Sequence, residues 1–234
     1  MNFIFFIISL VLISGFVGSV SAQQVLVEKE FSPEQIEEMK NKAVLITTNT
    51  GSLMIQLFPE DAPATVDNFL RLVESGYYDG VVFHRIIPGF MIQTGDPKTI
   101  GPDSDRSTWG QGGPGYTINE EFNTIQHDRG IVSMARQNHV DSAGSQFFIV
   151  HKDNNQLDGK YTVFGRLVPG LPQALDNIAK LETNKFHQPI DASSATIIKT
   201  SIIDGFTTEH FPGPDRNDSI TKEHKIGGGI TKTY

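Results

Sequence analysis

The sequence predicts an all-β domain, a closed β-barrel of short strands accompanied by two principal helices. Three observations carry this prediction. Short apolar and β-prone runs recur between Ala43 and Phe206, polar or Gly-containing turns separate them, and only two stretches in that span keep a sustained helical period.

The chain of 234 residues opens with 22 that carry no charged side chain and are dominated by Phe, Ile, Leu and Val. Such a segment does not suit the surface of a soluble domain and reads as a secretory signal peptide, with Val20 and Ala22 at the minus-three and minus-one positions of a cleavage site before Gln23. Its first region has only the amino terminus as positive charge. An uncleaved membrane anchor is therefore the alternative, because about 20 apolar residues span a bilayer. The chain has no cysteine, which excludes lipoprotein attachment and disulfide stapling. The mature chain of about 210 residues is long enough for one packed core without metal or disulfides. Net charge is −8 and the pI about 5.3, with no basic run to track a phosphate backbone, so nucleic acid is not expected as a partner.

Residues 23–42 form an N-terminal extension with one short helix, because Ser32-Pro33-Glu34-Gln35 supplies an N-cap serine, a proline at the first helical position and the glutamine of a capping box. The main domain spans 43–206. Its first element is a hairpin from Ala43 to Phe58 around Thr50-Gly51, with Val44, Leu45 and Ile46 before the turn and Leu53, Ile55 and Leu57 after it. Between Pro63 and Glu74, Val66, Phe69, Leu70 and Val73 recur at helical spacing, and Gly76 ends that helix.

The most informative run is FHRIIPGFMIQTGD, Phe83 to Asp96. Period-2 alternation puts Phe83, Arg85 and Ile87 on one face, and Phe90, Met91 and Gln93 resume a second strand after a Pro88-Gly89 turn. That reversal brings Arg85 and Gln93 side by side over Phe90 and Met91. An arginine beside an apolar pocket is a cation that does not deprotonate and donates from a fixed fork into a partly dry site. It suits a neutral substrate with an apolar ring next to a carbonyl.

Lys98 to Tyr116 reads as a long surface loop holding Asp103, Asp105 and the only tryptophan, Trp109. No Gly and Glu follow the two aspartates at the offsets of a helix-loop-helix calcium site, so no metal is expected there. Strands follow at Ile131–Met134, Phe147–Val150 and Val163–Leu167, then a helix over Leu171–Leu181 and a final strand over Ala195–Ile203. Residues 207–234 cannot make a core and read as a flexible C-terminal tail or an arm draped on the surface. Asn217-Asp218-Ser219 is a glycosylation sequon, meaningful only where the host modifies secreted asparagines. His84, His127, His139 and His151 have no helical i, i+4 pairing, no cysteine and no Gly-x-Ser-x-Gly elbow beside them, so they read as structural or exposed rather than as metal ligands or a triad.

The Phe83–Asp96 run resembles the signature of the cyclophilins, the peptidyl-prolyl cis-trans isomerases, and similar blocks continue in family order. They are Gly130 to Ala135 (GIVSMA), Gly144 to Ile149 (GSQFFI) and Leu157 to Gly165 (LDGKYTVFG), with Ala62 to Phe69 upstream similar to the start of the family's first helix. The resemblance spans about Ala43 to Phe206. It implies an eight-stranded antiparallel barrel capped by two α-helices, with the site on the outside because side chains fill the interior. It also implies isomerase activity without a cofactor, on proline-containing polypeptides. The chain is expected to be a monomer, with no membrane attachment once its signal is cleaved. Arg85 takes the catalytic position and Gln93 braces it. Phe90, Met91, Phe148 and Leu157 form the proline slot, Gln146 and Ala135 line the path of the substrate backbone, and Tyr161 stands as an aromatic wall. Three positions depart from the best-known pattern. Gln156 replaces a tryptophan that helps bind cyclosporin, Tyr161 replaces a histidine, and Arg136-Gln137 replaces a smaller pair. The expected role is acceleration of X-Pro isomerisation in exported proteins; the alternative is a non-catalytic proline-peptide binding module or chaperone.

Overall fold

The computed structural model describes residues 30–170, 173–207, 213–217, 223–226 and 230–233. The expected signal peptide, residues 1–22, and its cleavage site lie outside the described residues. Helix α1 (Pro33–Lys40) starts as its capping box dictates: Gln35 N donates to Ser32 Oγ at 3.3 Å, and Ser32 N donates to Gln35 Oε1 at 2.9 Å. Strands β1 (Lys42–Thr48) and β2 (Gly51–Leu57) form the expected hairpin, registered from Thr48–Gly51 to Ala43–Gln56. Gly51 sits at φ +133°, a conformation that favours glycine.

Helix α2 (Pro63–Glu74) buries Val66, Phe69, Leu70 and Val73, the apolar stripe of the sequence. Its N-cap residue, Ala62, has no side chain to offer. Glu121 caps the helix from a distant loop instead, accepting from Ala64 N at 2.9 Å, Thr65 N at 2.7 Å and Thr65 Oγ1 at 2.6 Å. The chain continues through β3 (Arg85–Ile87), β4 (Met91–Thr94), β5 (Ile131–Met134), β6 (Phe147–Val150), β7 (Val163–Leu167), α3 (Gln173–Ala179) and β8 (Ile197–Asp204).

These eight strands make one antiparallel sheet in the order β3-β4-β6-β5-β7-β2-β1-β8. The sheet curls but is not the closed barrel expected from the sequence, because the edge strands β3 and β8 do not pair with each other. The span before β3 meets the start of β8 through an isolated Val82–Thr196 bridge and the bonds Gly80 N to Ile197 O, Ile197 N to Val81 O and Phe83 N to Ala195 O. The result is a half-barrel. This contact also corrects the expected placing of Phe83. Strand alternation begins only at Arg85, so Phe83 is fully buried in the main core instead of sharing Arg85's face.

Alternation sorts the central strands between two apolar clusters. Ile92, Val132, Phe147, Ile149 and Phe164 join the main core under α2, whereas Met91, Ile131, Phe148, Val150 and Val163 form a second cluster on the opposite face with Phe58 and Ile125. Both faces of these strands are therefore covered, and the second cluster carries the site.

The span from Lys98 to Tyr116 contains a 3-10 turn at Arg106–Thr108. Trp109 is not on the surface: it is buried in the main core, with the Arg106 guanidinium 4.7 Å over its ring. Arg106 also donates to Pro189 O at 2.6 Å and Ile190 O at 3.1 Å, tying this loop to the turn before β8. Beyond β8, Gln126 N donates to Asp215 O and Asn217 N to Thr124 O, while the Arg216 fork grips Asp61 at 2.6 and 3.1 Å. Strands β9 (Glu223–Ile226) and β10 (Ile230–Thr233) form a separate two-stranded ladder. Among the described residues no helix is long and apolar enough to cross a membrane.

Candidate active site

The tight turn at Pro88-Gly89 sets the β3–β4 register, which pairs Arg85 with Gln93 and Ile87 with Met91. Gly89 takes φ +76°, which a side chain would resist. Strand β6 lies on the other side of β4 and places Phe148 opposite Gln93. The sheet therefore gathers Arg85, Met91, Gln93 and Phe148 on one face. Ala135 follows β5, a 3-10 turn at Asn155–Leu157 brings in Leu157, and Tyr161 precedes β7. Together with Phe90 and Arg136 they line a pocket of about 110 Å³, room for one small ring.

Eight of the nine residues expected at the site line this pocket. The ninth, Gln146, stands behind it in a chain of hydrogen bonds. Arg85 Nη1 donates to Gln93 Oε1 at 3.3 Å, Gln93 Nε2 donates to Gln146 Oε1 at 2.9 Å, and Gln146 Nε2 donates to Gly110 O at 3.0 Å and Gly112 O at 2.8 Å. Backbone carbonyls only accept, so they fix the Gln146 amide with its nitrogen towards them. That in turn fixes Gln93 with its oxygen towards Arg85. Gln93 thus holds one guanidinium N–H and leaves the rest of the fork for a ligand. Burial over the pocket draws the Arg85 pKa below its ordinary value, and Tyr161 acts in the opposite direction.

The pocket floor rests on a buried polar group. His127 is fully buried, with Nδ1 2.9 Å from Asp158 Oδ1 and Nε2 3.1 Å from Ser133 Oγ. Its ring stacks on Phe148 at 6.0 Å and meets Tyr161 edge-on at 6.4 Å, so it backs two walls of the pocket. The Ser-His-Asp order is not a nucleophilic triad. Ser133 is fully buried and its hydroxyl donates to Thr162 O at 2.9 Å, leaving no path for a substrate.

Sequence reasoning flagged Arg136 only as a departure and did not place it in the pocket. Its guanidinium lies over Tyr161 at 5.0 Å and Phe122 at 5.7 Å, and its Nε donates to Lys160 O at 2.9 Å. Adjacency to Ala135 was the only available signal. No cluster of three or more His, Cys, Asp or Glu side chains able to hold a metal occurs among the described residues.

Residues 43–202 match the protein-family model described as "Cyclophilin type peptidyl-prolyl cis-trans isomerase/CLD". The chain belongs to this family. It is therefore a cyclophilin-type peptidyl-prolyl cis-trans isomerase, and cyclophilins bind proline-containing peptides. It is 41% identical over 173 residues to the peptidyl-prolyl cis-trans isomerase-like 3 protein of Rhizopus delemar, covering 69% of this chain and 98% of that one. The Gallus gallus isomerase-like 3 protein is 45% identical over 152 residues, 64% of this chain and 89% of its own length. Among solved structures, a cyclophilin type isomerase of Cryptosporidium parvum superposes with a TM-score of 0.61 at 36% identity, covering 70% of this cyclophilin and 98% of that chain.

Proposed function

We propose that this chain is an exported prolyl isomerase that uses Arg85 to stabilise the twisted prolyl amide of client proteins. Amide resonance holds a prolyl bond behind a barrier of about 18–20 kcal/mol, while its cis and trans forms differ by only about 0.5–1 kcal/mol. No nucleophile is required. The site needs to bind the twisted bond better than either planar form. Twisting localises the lone pair on the prolyl nitrogen, and a fixed donor aimed there favours the twisted state.

The observation that carries the reading is the pairing of Arg85 with the small apolar pocket. Phe90, Met91, Phe148 and Leu157 enclose the space that takes the proline ring, and Gln93 holds the guanidinium at its rim. The Cryptosporidium parvum relative was also crystallised in the presence of the dipeptide Ala-Pro, which suits a proline-sized pocket. Export is supported by the uncharged apolar residues 1–22 and the small-residue site before Gln23. The clients are then secreted or envelope proteins, in which prolyl isomerisation is slow without a catalyst.

A protease-coupled prolyl-peptide assay on purified chain from Gln23 onward tests the chemistry, and intact-mass measurement of exported protein tests the cleavage. Turnover together with a mature N-terminus at Gln23 is expected. Peptide binding without turnover would make the pocket a binding module, and full-length chain in the membrane fraction would make the first segment an anchor.

A further inference from the structure

A second cavity of about 440 Å³ adjoins the pocket and shares Gln93, Ala135 and Arg136 with it. Its far side is the glycine-rich loop around Gly112, and Lys98 stands in its lining. No aspartate or glutamate lines it, although the whole chain carries 27 acidic and 19 basic residues. The cavity therefore opposes the sign of the protein around it.

Both of its cations are available. Arg136 spends Nε on Lys160 O at 2.9 Å and Nη1 on Gln137 O at 2.9 Å and Asn138 O at 3.4 Å, and Nη2 makes no hydrogen bond among the described residues. The Lys98 ammonium makes no ion pair or hydrogen bond there either, and the side chain is exposed. Carboxylates lie close by, but they are otherwise engaged. Asp96 is fully buried behind Gly112, where an added Cβ would collide with its Oδ1, and it accepts from the backbone N–H groups of Lys98, Gly110 and Gly112 at 2.8, 2.5 and 3.1 Å. Asp141 lies on the turn that supplies Gln137 and Ser142 to the cavity, and its Oδ1 accepts from Glu120 N at 2.9 Å. Glu120 Oε2 accepts from Phe122 N at 2.9 Å.

We infer that this cavity selects client segments with an acidic side chain within three residues of the proline, and that Lys98 and Arg136 are the specificity-determining cations. The inference rests on the prolyl pocket being the reactive site. A chain seated there passes Ala135 and Arg136 and brings a neighbouring side chain into the cavity, where a carboxylate meets one half-buried and one exposed cation and a lysine meets repulsion. Arg136 is the stronger of the two, because its guanidinium is held over Tyr161 and Phe122 while the lysine is a mobile point charge.

The test is a set of prolyl peptides that differ only in Glu, Gln or Lys at each of three positions on either side of the proline, followed by protease-free NMR exchange. For at least one position, kcat/KM should fall in the order Glu, Gln, Lys, with Glu over Lys by about threefold or more, the scale of partly exposed ion pairs. The ratio should shrink towards one at 1 M salt and in the double variant Lys98→Gln/Arg136→Gln, with Lys98→Gln alone in between. Thermal melting checks that each variant is folded, and a ratio of rates cancels any general loss of turnover. Equal rates for Glu and Lys at every position would overturn the selection, and a ratio unchanged in the double variant would overturn these two residues as its cause. Absence of turnover on every peptide, neutral ones included, would instead overturn the isomerase reading, and dissociation constants of the same peptides would then decide the charge preference.

Discussion

The backbone N–H of Gly89 donates to Nδ1 of His151 at 2.9 Å, joining the tip of the β3–β4 turn to the residue after β6. Because Nδ1 accepts, the ring proton lies on Nε2, 3.0 Å from Asp176 Oδ1 on α3, an oxygen that Arg129 also holds at 2.7 Å. The turn carrying Phe90 is thus fastened to α3 through one imidazole. A second tie runs from His151 N to Phe90 O at 2.8 Å and does not depend on the side chain.

His151→Leu is expected to raise KM for prolyl peptides by roughly fivefold, the scale of one hydrogen bond worth about 1 kcal/mol, with less effect on kcat. His151→Asn should recover most of it, since its amide oxygen can accept from Gly89. Steady-state kinetics on both variants checks this, and a native KM in His151→Leu would show that the backbone tie alone holds the turn.

Arg85→Ala should lower isomerase turnover by at least about tenfold, or roughly 1.4 kcal/mol of transition-state stabilisation, without loss of cooperative melting. Arg85→Lys should restore only part of this. Lysine keeps the charge but not the planar fork that Gln93 Oε1 orients. Full rescue by lysine would point to charge alone, and a native rate in Arg85→Ala would remove the arginine from the mechanism.

Glu121→Ala removes the carboxylate that caps α2 and should cost about 1–2 kcal/mol, seen as a melting temperature lower by about 2–8 °C. Glu121→Gln keeps one acceptor and should fall between the two. An unchanged melting temperature in Glu121→Ala would mean that water caps the helix equally well.

His84 should make the fold sensitive to mild acid. It is 4% exposed, and burial pushes its pKa down to about 4, with Asp96, the Val82 backbone and the Gln146 side chain favouring the charged form and Arg85 opposing it. In the unfolded chain its pKa is about 6.5, so between these values the unfolded state binds the extra proton. The stability that His84 contributes is therefore complete above about pH 6.5 and is lost as pH falls towards 4, up to roughly 3 kcal/mol. Denaturant titrations across that range should show the slope in the natural chain and a flatter one in His84→Phe; parallel curves would exclude this histidine as the source.

Much of this geometry was legible in the sequence because it is local. The capping box at Ser32, the stripe of α2 and the reversal at Pro88-Gly89 each depend on a few neighbouring residues, and the last brings Arg85 against Gln93. What escaped depends on distant chain. Glu121 caps a helix whose own N-cap position gives no hint of it, Trp109 leaves a polar loop for the core under Arg106, and Phe83 is drawn inward by Ala195. Closure of the barrel was inferred from strand number, yet closure depends on whether β3 and β8 reach each other. In this chain they meet only through the residues beside them.

The manner in which the sheet ends has a bearing on which chains can pair with it. Unfolded chains carry segments ready to extend any bare strand, and some peptide-binding domains recruit partners in that way. Here Ile86 N, the outward amide of β3, is taken by His187 O, and β8 is occupied at Ile197 by Gly80 and Val81 and at Thr200 by Asp79. Neither border offers a ladder there. A polypeptide segment is therefore denied strand addition at these positions, and the sheet's own borders do not template β-structure there.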